Sequence, residues 1–246
     1  MIISVLTLFP QVIEPFLGHS IIKRAVEKNK VQFNLINWRD LTTDKHHTVD
    51  EHPYGGGSGM LLMVEPLVKA IKATETKFGP AHKIMLSPQG NLWQQKKAEQ
   101  ISRSLHQKHL MLICGHYEGF DERLLHYINE QISIGEYVLS SGESAAVVIV
   151  DSLVRLLPGV LKKNDATTDE SFMQVDRQRL YELTDDKEVL KQPEETVTLF
   201  EYPQYTKPEN FQGHLVPKVL LSGNHAEIQK WRYQQAWKKT KIRQKK

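Results

Sequence analysis

The run Leu110-Met111-Leu112-Ile113-Cys114-Gly115-His116-Tyr117-Glu118-Gly119 decides the class of fold. Five apolar residues in unbroken succession are too few for a buried helix and fit a strand covered on both faces, as in a parallel sheet. The glycines that follow let the backbone approach a ligand, and in such sheets ligands gather beyond the carboxyl ends of the strands. Ile2 to Phe9, Val31 to Trp38 and Lys83 to Ser87 repeat the same strand texture. Helix-compatible stretches lie between them: Pro10 to about Lys28, a second beginning at Glu65-Pro66, and a third from Trp93 to about Gln107. This alternation predicts an α/β domain with a largely parallel sheet.

Two more glycine-bearing loops follow apolar runs, Ser87-Pro88-Gln89-Gly90 and the stretch from Ile134 and Gly135 to Gly142 and Glu143. Any one of them reads as ordinary turn chemistry. Three after successive strands at one sheet edge point to a ligand site that reads an adenine or ribose with backbone groups. Gly55-Gly56-Gly57-Ser58-Gly59 is followed by Met60 rather than Lys and Ser or Thr, which excludes a Walker A loop, and there is no Gly-x-Gly-x-x-Gly turn. That stretch is expected to grip a substrate. His46, His47 and His52 cluster with Asp50 just before it, in a spacing that fits no standard zinc pattern, so contact with RNA or simple exposure is expected.

Glu143 to Leu157 is apolar nearly all round and predicts a buried helix ended by Pro158-Gly159. Arg155 at its end has two readings: an i,i+4 ion pair with Asp151, or a guanidinium facing a substrate oxygen that gains negative charge. From Lys162 to Glu195 the chain is rich in charged residues and Thr, with few apolar anchors, as in a linker or solvated insertion. Asp169-Glu170-Ser171-Phe172 supplies a carboxylate there. A compact module then resumes, with a capping box at Asn224-His225-Ala226-Glu227 and an apolar face marked by Ile228 and Trp231 on a basic helix.

With 246 residues, 40% of them hydrophobic, the chain can bury a substantial core. Its formal net charge is +3 and its pI about 8.8, which permits nucleic-acid binding without requiring it. From Lys207 onward the positive charge concentrates, with Lys230, Arg232, Lys238, Lys239, Lys241, Arg243, Lys245 and Lys246 opposed by only Glu209 and Glu227 among the acidic residues. The single cysteine, Cys114, excludes an internal disulfide and reads as core packing. Ile2 to Phe9 has neither a basic leader nor the length of a membrane span, so a cytoplasmic protein is expected.

Taken in order, several motifs resemble the bacterial tRNA (guanine-N1)-methyltransferases, the TrmD family. They are Pro53-Tyr54-Gly55-Gly56-Gly57-Ser58-Gly59-Met60, Leu86 to Gly90, Cys114 to Gly119 with Asp121-Glu122-Arg123, Ser133 to Leu139, Pro158 to Leu161, Tyr205 to Pro208, Val216 to Gly223 and Lys230-Trp231-Arg232. The resemblance covers nearly the whole chain. It implies a SPOUT-type fold, an α/β domain with a trefoil knot, although chains generally avoid knots. It also implies an obligate homodimer, a knotted domain over 1–161, a linker with an insertion over 162–199, and a small helical tRNA-binding domain over 200–246. S-adenosylmethionine would lie in the knot loops, held by Leu86, Pro88, Gly115, Glu118, Ile134, Gly135, Glu136, Tyr137, Val138, Leu139 and Gly142. The substrate would be guanine-37 of tRNA, beside the anticodon, with RNA contacts from His46, Asp50, Gly59, Lys238, Lys239, Lys241 and Arg243. Magnesium is an implied requirement, with no dedicated ligand set visible. A carboxylate from the partner's linker would take the N1 proton, and Arg155 would steady O6.

The chain departs from the family pattern in three places. The usual base is an aspartate directly before Ser-Phe; here Glu170 holds that position and Asp169 precedes it, so both are candidates, with Glu170 favoured. Ser141-Gly142 replaces a pair of glycines. Between Phe172 and Tyr202 there are more residues than usual, expected as a solvated excursion. The alternatives to the main reading are a SPOUT methyltransferase acting on another RNA nucleotide and a catalytically impaired RNA-binding relative.

Overall fold

The computed structural model describes residues 1–105, 108–161 and 169–244, and the chain divides into two compact units, Met1–Lys162 and Lys163–Lys246. The expectations for Gln107, for the start of the linker at Lys162 and for Lys245 and Lys246 fall outside the described residues.

The first unit runs β1 (Ile2–Thr7), α1 (Pro10–Leu17), α2 (Ser20–Glu27), β2 (Gln32–Asn37), β3 (Asp50–Glu51), β4 (Leu61–Leu62), α3 (Val64–Phe78), β5 (Ala81–Leu92), α4 (Gln95–Leu105), β6 (His109–Ile113), β7 (Glu130–Ser133) and α5 (Gly142–Val154). Its five-stranded sheet has the order β2-β1-β6-β5-β7, and every neighbouring pair is parallel. The central strand is β6, buried along its whole length, which is why its apolar run needs no alternation. Its side chains point to opposite faces in turn. Leu110, Leu112 and Cys114 join Ile149, Leu153 and Val154 of α5 on one side; Met111 and Ile113 join Trp38, Leu67 and Ile71 on the other.

Three details differ from expectation. The stretch Pro10 to Lys28 forms two helices rather than one, because Pro15 lacks a backbone donor and Gly18 is a poor helix former. Ser87 to Gly90 is not a loop that ends a strand: β5 continues through it to Leu92, with a bulge across which both Leu86 and Asn91 face Ile132 of β7. Such a bulge re-aims side chains at a sheet rim. Helix α5 buries Glu143, Ala145, Ala146, Ile149, Val150, Leu153 and Val154, but Ser144, Val148 and Asp151 form an exposed stripe, so burial is one-sided rather than all round.

The second unit runs β8 (Met173–Asp176), α6 (Arg177–Thr184), β9 (Thr196–Leu199), β10 (Asn210–Phe211), β11 (His214–Leu215), α7 (Lys218–Leu221) and α8 (His225–Gln244). Strands β8 and β9 pair antiparallel, from Met173 opposite Leu199 to Asp176 opposite Thr196. Their inward residues Met173, Val175, Val197 and Leu199 close a core with Leu180, Val189 and, from α8, Ala236 and Trp237. The segment expected as a solvated linker and excursion is therefore folded over 173–199. It packs on α8, the helix expected to belong to a separate domain beginning at residue 200. The buried positions of α8 are Ala236, Trp237 and Thr240; Ile228 and Trp231, expected to mark its apolar face, are only half-buried. At its start Asn224 Oδ1 accepts from the Glu227 N–H at 3.4 Å. No helix among the described residues is long and apolar enough to cross a membrane.

Candidate functional site

The three glycine-bearing segments meet. The bulge of β5, the loop after β6 and the loop from β7 to α5 line one cavity of about 310 Å³ at the carboxyl ends of the strands. Leu86, Pro88, Gly115, Glu118, Ile134, Gly135, Tyr137, Val138, Leu139 and Gly142 all face it. Of the residues expected there, only Glu136 is not among those lining it, and its side chain is exposed. Apolar side chains such as Leu86, Ile134 and Leu139 share the lining with glycine backbone, the hydroxyls of Ser140 and Ser141 and the side chains of His116 and Glu118, as suits a flat heteroaromatic group carrying a polar sugar.

Close backbone packing closes the floor. The Gly142 N–H donates to Gly115 O at 2.8 Å, and a Cβ on Gly142 would lie 2.7 Å from Gly115 N and 2.8 Å from Cys114 Cα. Only glycine allows the start of α5 to touch the end of β6 so closely. Ser141, at the position where a second glycine was expected, is the N-cap of α5 in extended backbone and also lines the cavity.

Behind the floor lies a polar group that the sequence did not single out. Glu143, with no exposed surface, accepts a short hydrogen bond from the Thr7 hydroxyl through Oε1. Its Oε2 pairs with His116 Nε2 at 2.7 Å. The carboxyl sits in the first turn of α5, where the helix dipole favours negative charge. The His116 ring packs against Phe9 with centroids 4.7 Å apart. Burial, then the nearby charge of Glu143, pushes the Cys114 thiol well above its ordinary range, so Cys114 serves as packing.

The Gly55–Gly59 stretch is fastened to this wall. The Glu118 N–H donates to Met60 O at 3.1 Å and the Leu62 N–H to Gly119 O at 2.9 Å. Gly59 has φ +86°, and a Cβ there would fall 2.6 Å from the Glu118 side chain. The loop thus abuts the cavity mouth through Gly59, while Tyr54 stands fully exposed. Asp50 lies in β3, and the exposed His46 donates its N–H to Asp44 at 3.2 Å. At the rim, the Arg123 guanidinium holds Asp121 below the ordinary carboxylate range through hydrogen bonds at 2.5 and 2.8 Å. Among the described residues no three His, Cys, Asp or Glu side chains converge as a metal-ligand set. Among the described residues, the implied magnesium therefore finds no ready-made set of side-chain ligands.

Arg155 is the C-cap of α5, half-buried. In the second unit, Asp169 is exposed and Glu170 half-buried. Lys238 and Lys239 are exposed on α8. Lys241 is committed: its ammonium contacts Asp186 at 2.5 Å and Glu188 at 2.9 Å, and these partners hold its pKa above the ordinary lysine value. The Arg243 guanidinium lies 4.6 Å from the centre of the Phe200 ring, a cation–π distance.

The family model described as tRNA (Guanine-1)-methyltransferase TrmD matches residues 1–246. A tRNA (guanine-N(1)-)-methyltransferase of Caldanaerobacter subterraneus subsp. tengcongensis is 45% identical over 236 residues, 96% of this chain and 87% of the relative. The enzyme of that name from Bacillus subtilis is 43% identical over 243 residues, 98% of this chain and 89% of the relative. Among solved structures, the crystal structure of tRNA (m1G37) methyltransferase from Aquifex aeolicus superposes with a TM-score of 0.75 at 30% identity, covering 99% of this chain and 93% of that one.

Proposed function

The chain belongs to the TrmD family of tRNA (guanine-1)-methyltransferases, and from that premise we propose that it methylates N1 of guanine-37 in tRNA with S-adenosylmethionine as donor. The observation that carries the reading is the convergence of the three glycine-bearing segments on one cavity. Its backbone-rich loops and apolar walls suit an adenosine. The bound cofactor supplies an electrophilic methyl group.

The protein's share is positioning and proton transfer. Guanine N1 carries a proton at neutral pH, and as the Glu170 carboxylate takes it the freed electron pair delocalises onto O6, where the Arg155 guanidinium stabilises the charge. That charge is spent when N1 bonds to the methyl carbon and the carbon–sulfur bond of the donor would break, leaving a neutral thioether. The base comes from the partner of a homodimer, so each site needs both chains, and the first unit carries the knot that shapes the cavity. His46, Asp50 and Gly59 contact the RNA near the cavity, and the exposed lysines of α8 grip its phosphates. The protein works in the cytoplasm.

Incubation with methyl-labelled S-adenosylmethionine and undermodified tRNA should label transcripts with guanine-37 and spare those in which it is replaced. Equal labelling of both would move the target, and absence of labelling despite binding of cofactor and tRNA would end the enzyme reading. For the grip, Lys238→Gln with Lys239→Gln should weaken tRNA binding and reduce the salt slope by on the order of 0.7 to 0.9 for each phosphate no longer neutralised. Lys241→Gln should leave that slope alone, because its partners are Asp186 and Glu188. A slope that responds to Lys241 and not to the exposed pair would reverse the assignment.

A further inference from the structure

We propose that the β8–β9 hairpin is a positioning device for methyl transfer, which holds the Glu170 turn in one conformation through Phe172, Phe200 and Thr240. The inference rests on the reading of Glu170 as the base.

The carboxylate does not sit on a free tether. The Met173 N–H donates back to Glu170 O at 3.1 Å and closes a turn, and the Phe172 N–H donates to Leu199 O at 2.7 Å. That second bond carries the hairpin ladder one residue beyond the Met173 and Leu199 pair. Ser171 Oγ accepts from the Glu201 N–H at 3.2 Å. Phe172 has φ +76°, a left-handed conformation that a bulky residue keeps only where its surroundings hold it. Its ring lies against Phe200 with centroids 5.4 Å apart, and Phe200 carries the Arg243 guanidinium on its own ring. The Phe200 N–H is anchored on α8 by Thr240 Oγ1 at 3.0 Å, and Thr240 is itself buried.

A continuous line of contacts therefore joins Glu170 to the core of the second unit. Residues 173–199 contain seven acidic side chains against four basic ones, so the hairpin and α6 are poorly suited to gripping phosphate. What they supply is rigidity behind the carboxylate. A base already held in one backbone conformation loses less freedom on meeting its proton than one that must be ordered at that moment.

The test uses the full-length dimer and single-turnover methylation at saturating tRNA and S-adenosylmethionine, with tRNA affinity and amide hydrogen exchange measured in parallel. Phe200→Ala should slow transfer about tenfold or more, leave tRNA affinity unchanged and speed exchange at the Phe172 amide, while Phe200→Tyr restores the rate. Thr240→Val removes the acceptor for the Phe200 N–H while keeping the size of the side chain, and should slow transfer on the order of threefold. Wild-type rates in both Phe200→Ala and Thr240→Val overturn the proposal, and if Phe200→Ala does not fold, Thr240→Val decides alone. An inactive Glu170→Gln beside wild-type rates in both Phe200→Ala and Thr240→Val sinks the hairpin's role and spares the base. A fully active Glu170→Gln sinks the base, and the proposal with it.

Discussion

Glu170→Gln should lower the single-turnover rate of guanine-37 methylation by on the order of 10²- to 10⁴-fold, the usual contribution of a positioned general base. Its affinities for tRNA and S-adenosylmethionine should stay as they are. The amide keeps the size of the side chain and the Glu170 backbone turn, whose carbonyl accepts from Met173, and cannot take a proton as a carboxylate does. Asp169→Asn should keep most of the rate, since Asp169 precedes that turn and is exposed. The reverse pattern would transfer the role to Asp169, and wild-type rates in both variants would place the base elsewhere.

Glu143→Ala should destabilise the first unit by on the order of 3 kcal/mol, because it opens a small cavity and leaves buried polar partners unsatisfied. Thr7 and His116 would both be left without their acceptor. Glu143→Gln should cost less, since its amide oxygen still accepts from the Thr7 hydroxyl. Denaturant titration of each variant measures the difference, and a loss below about 1 kcal/mol for Glu143→Ala would mean that the network is dispensable. S-adenosylmethionine affinity should fall in step, because His116 belongs to the cavity wall and Glu143 fixes its ring.

Much of the first unit was legible in the sequence because its signals are local. An unbroken apolar run such as Leu110 to Cys114 can hardly be anything but a central strand, and glycines directly after it announce a loop with a purpose. The bulge at Ser87 to Gly90 was not legible, since it depends on β7 pairing on both sides of it, and β7 itself is four residues of mixed character. Glu143 was hidden by its place beside Gly142 and Ser144, where a charged residue normally meets water. Only the fold brings Thr7 and His116 to it.

The second unit misled for a different reason. Met173-Gln174-Val175-Asp176 and Thr196-Val197-Thr198-Leu199 each carry the alternation of a half-buried strand. They stand about twenty residues apart, and the charged stretch between them dilutes the pattern. Lys241 likewise looks like one more solvated charge in a basic tail, and its acidic partners lie more than fifty positions upstream. The carboxylate at Glu170 could be found by type, while the hairpin that steadies it is a long-range pairing that spacing alone does not announce.

The burial of Cys114 gives the chain an internal reporter. It is the only thiol present, has no exposed surface and resists ionisation, so an alkylating reagent reaches it only when the end of β6 separates from the start of α5. Its rate of labelling therefore counts openings of the cavity floor, and a ligand that seats there should slow it in proportion to its occupancy.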